Sequence, residues 1–170
     1  MMPAPSRDGS DQRSIINLYE IYRQPILAYL TRLVSDQDIA EDLCQDTFVK
    51  ALRSWSRHEP NANPVAWLYR IATNTAYDHL RRCRRIRFVP LPDIDIATQQ
   101  TAISESHLED QEPVRKALLQ LPPEYRIPLV LHSCEGRSTQ EIADTMGCTN
   151  GAVKTRLFRA RERFRQVYRG

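Results

Sequence analysis

Glycine is scarce in this chain, with five in 170 residues. That scarcity excludes collagen-like and glycine-rich low-complexity classes and leaves no phosphate-cradling glycine loop. Strict apolar–polar alternation is also missing, so half-buried strands are not expected. No apolar run approaches the roughly 18 to 20 residues that cross a bilayer, and membrane insertion is not expected. The start MMPAPSRDGSDQ is polar and lacks the apolar core of a signal peptide, and residues 1–13 are expected to be disordered. Four cysteines, Cys44, Cys83, Cys134 and Cys148, form no CxxC pair. Neither a zinc site nor a disulfide framework follows; reduced thiols in a cytoplasm are the expectation. No nucleophile–base pair or paired carboxylate forms a coherent site, so catalysis, a metal and a cofactor are all unexpected.

Positive charge is missing from one stretch. Between Phe88 and Val114 there is no Lys or Arg, while Asp93, Asp95, Glu105, Glu109, Asp110 and Glu112 are acidic. Arg81, Arg82, Arg84, Arg85 and Arg87 precede it, and TNGAVKTRLFRAR (149–161) follows. The net charge of +3 thus conceals two basic clusters held apart by an acidic spacer. The spacer mixes prolines, acids and small polar residues without a helical period. It reads as a linker over 88–112, between helical modules at 14–87 and 113–170.

Within both modules apolar residues recur at three and four spacing, so the expected fold is all-α: an N-terminal helical bundle and a C-terminal helix-turn-helix domain. The first helix carries Ile15, Leu18, Tyr19, Tyr22, Ile26, Tyr29, Leu30 and Leu33, and Pro25 should kink it or begin a second helix. SDQDIAEDLCQDTFVKALRSW follows, with Ser35 or Asp36 as N-cap. Ile39, Ala40, Leu43, Cys44, Phe48, Ala51, Leu52 and Trp55 fill its packed arc. The other face holds Asp38, Asp42, Gln45, Asp46, Arg53 and a lone Val49, which reads either as a solvated acidic face or as a contact surface.

Asn63–Pro64 signals a cap and first turn after a polar loop. The helix that follows buries Val65, Leu68, Ile71, Ala72, Thr75, Ala76 and Leu80, with His79 in the same arc as a core histidine. Its opposite side gathers Trp67, Arg70, Asn74, Tyr77, Asp78 and Arg81. Aromatic faces beside guanidinium groups suit unpaired bases and phosphates, although Trp67 can equally pack on a neighbouring helix.

The C-terminal module carries the most specific signal. In STQEIADTMGCTNGAVKTRLFRARERF, Ser138 and Glu141 have capping-box spacing, Gly147 suits a tight turn, and Val153 returns an apolar anchor. Thr149 can cap a second helix with Val153, Leu157, Ala160 and Phe164 on its buried stripe. Lys154, Thr155, Phe158 and Arg159 then face outward near its N-terminal half, with Thr149 and Asn150 just before them as further candidate contacts; there Phe can meet a thymine methyl and Lys or Arg can reach guanine edges or phosphates.

AEDLCQDTFVKAL, NPVAWLYRIATNTAYDHLRRCRR and the segment from LPPEYRIP to RARERF, in that order, resemble regions 2.2, 2.3–2.4 and 4 of the extracytoplasmic-function (ECF) sigma factors of bacterial RNA polymerase. The resemblance implies a specificity subunit that recognises minus-35 and minus-10 promoter elements and assists melting. It implies docking of Asp42, Gln45, Asp46 and Val49 on the polymerase β′ clamp helices, further contact with the β flap, and a cognate anti-sigma factor. It places a flipped minus-10 base at the loop bearing Ser56, Arg57, His58, Asn61 and Asn63, and the minus-35 element against the second helix of the helix-turn-helix. Ala152 stands where many relatives have a hydroxyl residue. A stand-alone helix-turn-helix regulator, or an enzyme or adaptor using the acidic face, is the competing reading.

Overall fold

The computed structural model describes residues 8–55, 63–87 and 111–169, with side chains from Ile15 onward and, in the third helix, as far as Arg85. Seven helices and no strand occur among the described residues: α1 Asp8–Val34, α2 Gln37–Ser54, α3 Pro64–Arg87, α4 Glu112–Gln120, α5 Pro123–Ser133, α6 Thr139–Met146 and α7 Asn150–Arg169.

α1 begins at Asp8, six residues before the expected start, and runs through Pro25 without a break. Proline costs the helix one hydrogen bond and crowds the preceding turn. Pro25 itself faces solvent, while Ile26, Tyr29, Leu30 and Leu33 directly after it are fully buried. Burial of these four side chains, at about 1.5–3 kcal/mol each, outweighs the lost bond. α1 ends with Ser35 in the left-handed region (φ 54°), and Asp36 caps α2 by accepting from the Ile39 N–H at 3.0 Å.

α1, α2 and α3 form an antiparallel trio. Tyr19 meets Phe48 edge-on while the Cys44 thiol reaches the Arg23 carbonyl, so α1 and α2 run in opposite directions. Lys50 on Thr75 and Trp55 on Trp67 show the same for α2 and α3. At the centre the buried Tyr29 hydroxyl shares a 2.9 Å hydrogen bond with Thr73, and its ring lies 5.4 Å from that of Tyr69. Three expected core positions fall elsewhere. Leu52 is 58% exposed at the rim of α2, where none of the described helices covers it. His79 and Leu80 are only half-buried, and His79 Nε2 lies 3.4 Å from the Cys83 thiol.

The second set, α4 to α7, buries Leu121, Leu129 and Ala160 against Leu118, Tyr125 and Phe164. It is not separate from the first. Ile127, Val130, Leu131, Ile142, Ala143, Val153 and Leu157 belong to one continuous hydrophobic cluster with the core of α1–α3. α5 packs on both α1 and α3, and α6 packs on α3.

Candidate nucleic-acid interface

The turn between α6 and α7 is built from local bonds. Ser138 Oγ accepts from the Glu141 N–H at 3.2 Å, and the Glu141 carboxylate accepts from the Ser138 N–H at 2.8 Å, which completes the capping box. Those bonds, chiefly from the Ser138 backbone and then its hydroxyl, hold the Glu141 carboxyl below its ordinary range. At the other end Gly147 takes φ +63°, and the Cys148 N–H returns to the Ala143 carbonyl at 3.0 Å in a Schellman closure. Thr149 Oγ1 then accepts from the Ala152 N–H at 3.2 Å and starts α7.

This geometry sorts the side chains of α7. Val153, Leu157 and Ala160 are buried, with Phe164 half-buried against the second cluster. Lys154, Thr155, Phe158 and Arg159 are exposed, and Phe158 is 62% accessible in spite of its size. Thr149 is exposed beside them; Asn150 is half-buried and donates to Gln140 Oε1 at 3.1 Å. A row of cations around an exposed aromatic ring, at the first turns of a helix that follows a tight turn, is the geometry of a major-groove reader.

On α3, Asn63 is an N-cap: its Oδ1 accepts from the Val65 and Ala66 N–H groups at 3.0 and 3.2 Å. Arg70, Asn74, Asp78 and Arg81 are exposed and Tyr77 is half-buried. Trp67 is half-buried and packs edge-on against Trp55 at 5.6 Å. Ser56, Arg57, His58 and Asn61 lie outside the described residues.

Asp42, Gln45, Asp46 and Val49 are all exposed along α2, with Val49 45% accessible and Leu52 continuing the apolar edge. Asp46 also meets the α3 residues. An open groove of about 340 Å³ between α2 and α3 is lined by Asp46, Lys50, Thr75, Asp78, Arg81, Arg82 and Arg85. Lys50, Arg82 and Arg85 are not among the site residues expected from the sequence. The i, i+3, i+4 spacing of Asp78, Arg81, Arg82 and Arg85 could have found the α3 side, whereas Lys50 joins it only through the α2–α3 pairing. Among the described residues no group of three or more His, Cys, Asp or Glu could hold a metal, and no helix is long and apolar enough to cross a membrane.

Sigma-70 region 2 matches residues 18–86 and sigma-70 region 4 matches residues 111–164. RNA polymerase sigma-H factor of Pseudomonas aeruginosa is 36% identical over 168 residues, covering 89% of this chain and 84% of that protein. An ECF RNA polymerase sigma-E factor of Haemophilus influenzae is 32% identical, covering 89% and 86%. The sigma factor RpoE of Bartonella quintana, solved in complex with the anti-sigma factor NepR, superposes with a TM-score of 0.73 at 28% identity, over 92% of this chain and 98% of that one. A helical protein that carries a helix-turn-helix is thereby placed in a class of transcription initiation factors. The chain belongs to the ECF sigma factors of bacterial RNA polymerase. It serves promoter recognition and initiation by the polymerase and is not itself an enzyme.

Proposed function

We propose that the two helical sets divide promoter recognition between them, with a region 2 domain at 14–87, a linker at 88–112 and a region 4 domain at 113–170. The observation that carries this reading is the exposed Phe158 set among Lys154, Thr155 and Arg159 on a helix launched by a closed turn. An aromatic side chain left in water forgoes about 1.5–3 kcal/mol of burial, which contact with a thymine methyl recovers. In this reading Thr149, Asn150, Lys154, Thr155, Phe158 and Arg159 meet the minus-35 element.

Asn63, Arg70, Asn74, Tyr77, Asp78 and Arg81 meet the minus-10 strand, together with the loop bearing Ser56, Arg57, His58 and Asn61. The groove cations Lys50, Arg82 and Arg85 carry the backbone phosphates past them. Trp67 acts by bracing Trp55, at the start of that loop. Asp42, Gln45, Asp46 and Val49 dock on the β′ clamp helices: four exposed side chains on one face, three of them polar and one apolar, suit a polar contact with a small dry centre. The work takes place in the cytoplasm, where the polymerase and its template are, and an anti-sigma factor controls it, as NepR partners the Bartonella protein.

The test is transcription by core polymerase on a promoter library, with and without the purified chain. The expected result is a set of defined starts that appear only when it is added. Asp46→Arg should abolish holoenzyme formation while the helical content stays intact. Tight binding of palindromic duplex sites without polymerase, and no directed starts, would sink the reading in favour of a stand-alone regulator.

A further inference from the structure

Beside the capping bonds, the helix-turn-helix carries a second polar chain. Gln140 of α6 donates through Nε2 to Asp144 Oδ1 at 3.0 Å, one turn along the same helix. Its Oε1 accepts from Asn150 Nδ2 of α7 at 3.1 Å, across the turn. Both bonds lie on the exposed side. Asn150 Oδ1, in contrast, is buried and has no hydrogen-bond partner.

Hydrogen-bond chemistry gives this chain a direction. An ionised carboxylate only accepts, so Gln140 must turn its NH2 to Asp144 and its oxygen to Asn150, which must then turn its own NH2 to Gln140. Reversing either amide alone sets two oxygens together. Reversing both sets the Gln140 oxygen against a negative charge. Of the two amide hydrogens of Asn150, one goes to Gln140 and the other is left to donate, while the acceptor is hidden. Asn150 can give a hydrogen bond to DNA but cannot take one. The bidentate pairing of Asn with adenine, which needs both groups, is closed to it.

Asp144 is poorly placed for any other purpose. It stands in the last turn of α6, where the helix macrodipole disfavours an acid, and no basic residue accompanies it there. Among the described residues it makes no ion pair. The first helix of a helix-turn-helix crosses the DNA backbone, so a carboxylate on its exposed side repels phosphate.

We propose that Asp144, acting through Gln140, is a positioning residue for the minus-35 contact: it fixes Asn150 as a hydrogen-bond donor to an acceptor on the DNA, a phosphate oxygen or the acceptor edge of a base. This rests on the promoter reading above, which lays the start of α7 against that element.

The sign of one substitution separates this role from plain electrostatics. If charge alone acts, removing an acid beside DNA strengthens binding. If Asp144 sets the direction of the amides, removing it lets both turn and weakens binding. Holoenzyme assembled from core polymerase and the full chain is titrated onto the promoter most often recovered from the library. Asp144→Asn and Gln140→Ala should each lower affinity about threefold, and Asn150→Ala, which removes the donor itself, about threefold to tenfold. Asp144→Asn should have no further effect in the Asn150→Ala background. Gln140→Glu combined with Asp144→Asn keeps the net charge and rebuilds the direction, because the new carboxylate accepts from both neighbours; affinity should return toward wild type. Thermal melts of Asp144→Asn should equal or exceed wild type, since an acid leaves the end of α6. In nitrogen-15 spectra of the free chain, the Asn150 side-chain amide, assigned by its loss in Asn150→Ala, should shift in Asp144→Asn and return in the combined variant. Repeating the library selection with Asn150→Ala names the acceptor: a changed preference at one base pair means a base edge, and uniform weakening means phosphate.

Equal or tighter binding by Asp144→Asn overturns the inference. So does its full effect in the Asn150→Ala background, or a combined variant that restores nothing. If wild type directs no defined start, the promoter reading fails and the DNA contact falls with it, while the amide signal still decides whether Asp144 orients Asn150. If wild type initiates and Asp144→Asn binds as well, the inference alone fails.

Discussion

The α6–α7 turn and the joint between the two helical sets hold helices together by opposite means. In the turn the capping and closing bonds span three to five positions: Ser138 with Glu141, Gly147 and Cys148 closing on Ala143, Thr149 with Ala152. In the joint the partners are remote, with Tyr69 and Glu135 separated by 66 residues, Leu33 and Arg126 by 93, and Arg32 and Glu135 by 103. The turn needs only its own sequence. The joint needs the fold to exist first. Local bonding makes the α6–α7 turn a unit of its own, while the joint stands or falls with the packing of both sets.

Arg126 gives the largest expected effect because it serves both sides of that contrast. Its guanidinium is 6% exposed, and besides the Leu33 carbonyl it donates to those of Leu119 and Leu121 at 2.6 and 2.9 Å. It therefore supplies cationic donors to the C-terminal ends of α1 and α4, where helices carry unpaired carbonyls and partial negative charge. Arg126→Ala should cost about 2–4 kcal/mol in chemical denaturation, since buried carbonyls are left without donors. A cost below ~1 kcal/mol would show that water replaces the guanidinium, and that the joint is looser than its distances imply.

Within the turn, backbone conformation should outweigh side-chain contact. Nothing lies within 4 Å of a Cβ built on either Gly147 or Gly151, yet only Gly147 has a positive φ. Gly147→Ala should destabilise by about 1–2 kcal/mol through left-handed strain alone. Gly151→Ala, in the first turn of α7, should be neutral or stabilise by ~0.5 kcal/mol. Ser138→Ala should cost about 1 kcal/mol by removing the cap. Thermal melts of the three variants check the order; equal costs at both glycines would mean that crowding, not φ, controls the turn.

The same contrast explains what is legible in the sequence. Ser138, Glu141, Gly147 and Thr149 announce themselves because the spacing of a cap or a left-handed turn is written in adjacent residues. The split of α7 into a buried Val153–Leu157–Ala160 stripe and an exposed Lys154–Phe158–Arg159 face follows from 3.6 periodicity. Leu52 departs from its expected place in the core because periodicity gives a direction around the helix but not whether a neighbour reaches that far along it. Pro25 interrupts nothing because local helix propensity yields to the burial of Ile26, Tyr29, Leu30 and Leu33. Tyr69 and Glu135 carry no local sign at all. A Tyr beside Leu68 and a Glu after a helix end look ordinary until the chain brings α3 and α5 together. The docking of one helical set on the other is for that reason invisible in a sequence that reads as two modules and a spacer.

Titration should separate the two kinds of contact at opposite ends of the pH scale, and its effects should be the smallest of all. The Glu141 carboxyl lies below its ordinary value in the folded protein because the Ser138 N–H and hydroxyl favour its charged form. Its contribution is complete above the unfolded value near 4.5 and is lost as pH falls through the lower folded value, so acid weakens the turn. Solvent exposure keeps that loss small. The Tyr69 hydroxyl is pushed up to about 12, first by burial and then by its hydrogen bond to Glu135. The fold favours its neutral form, so that contribution is complete below the unfolded value of 10.0 and is lost as pH rises from there toward about 12. Buried Tyr29 moves in the same direction, so the joint is isolated by difference: the alkaline loss should shrink in Tyr69→Phe, while the acid loss should shrink only in Glu141→Gln. If Tyr69→Phe leaves the alkaline limb unchanged, that hydroxyl does not hold the joint, and the contrast between a local turn and a remote joint loses its second half.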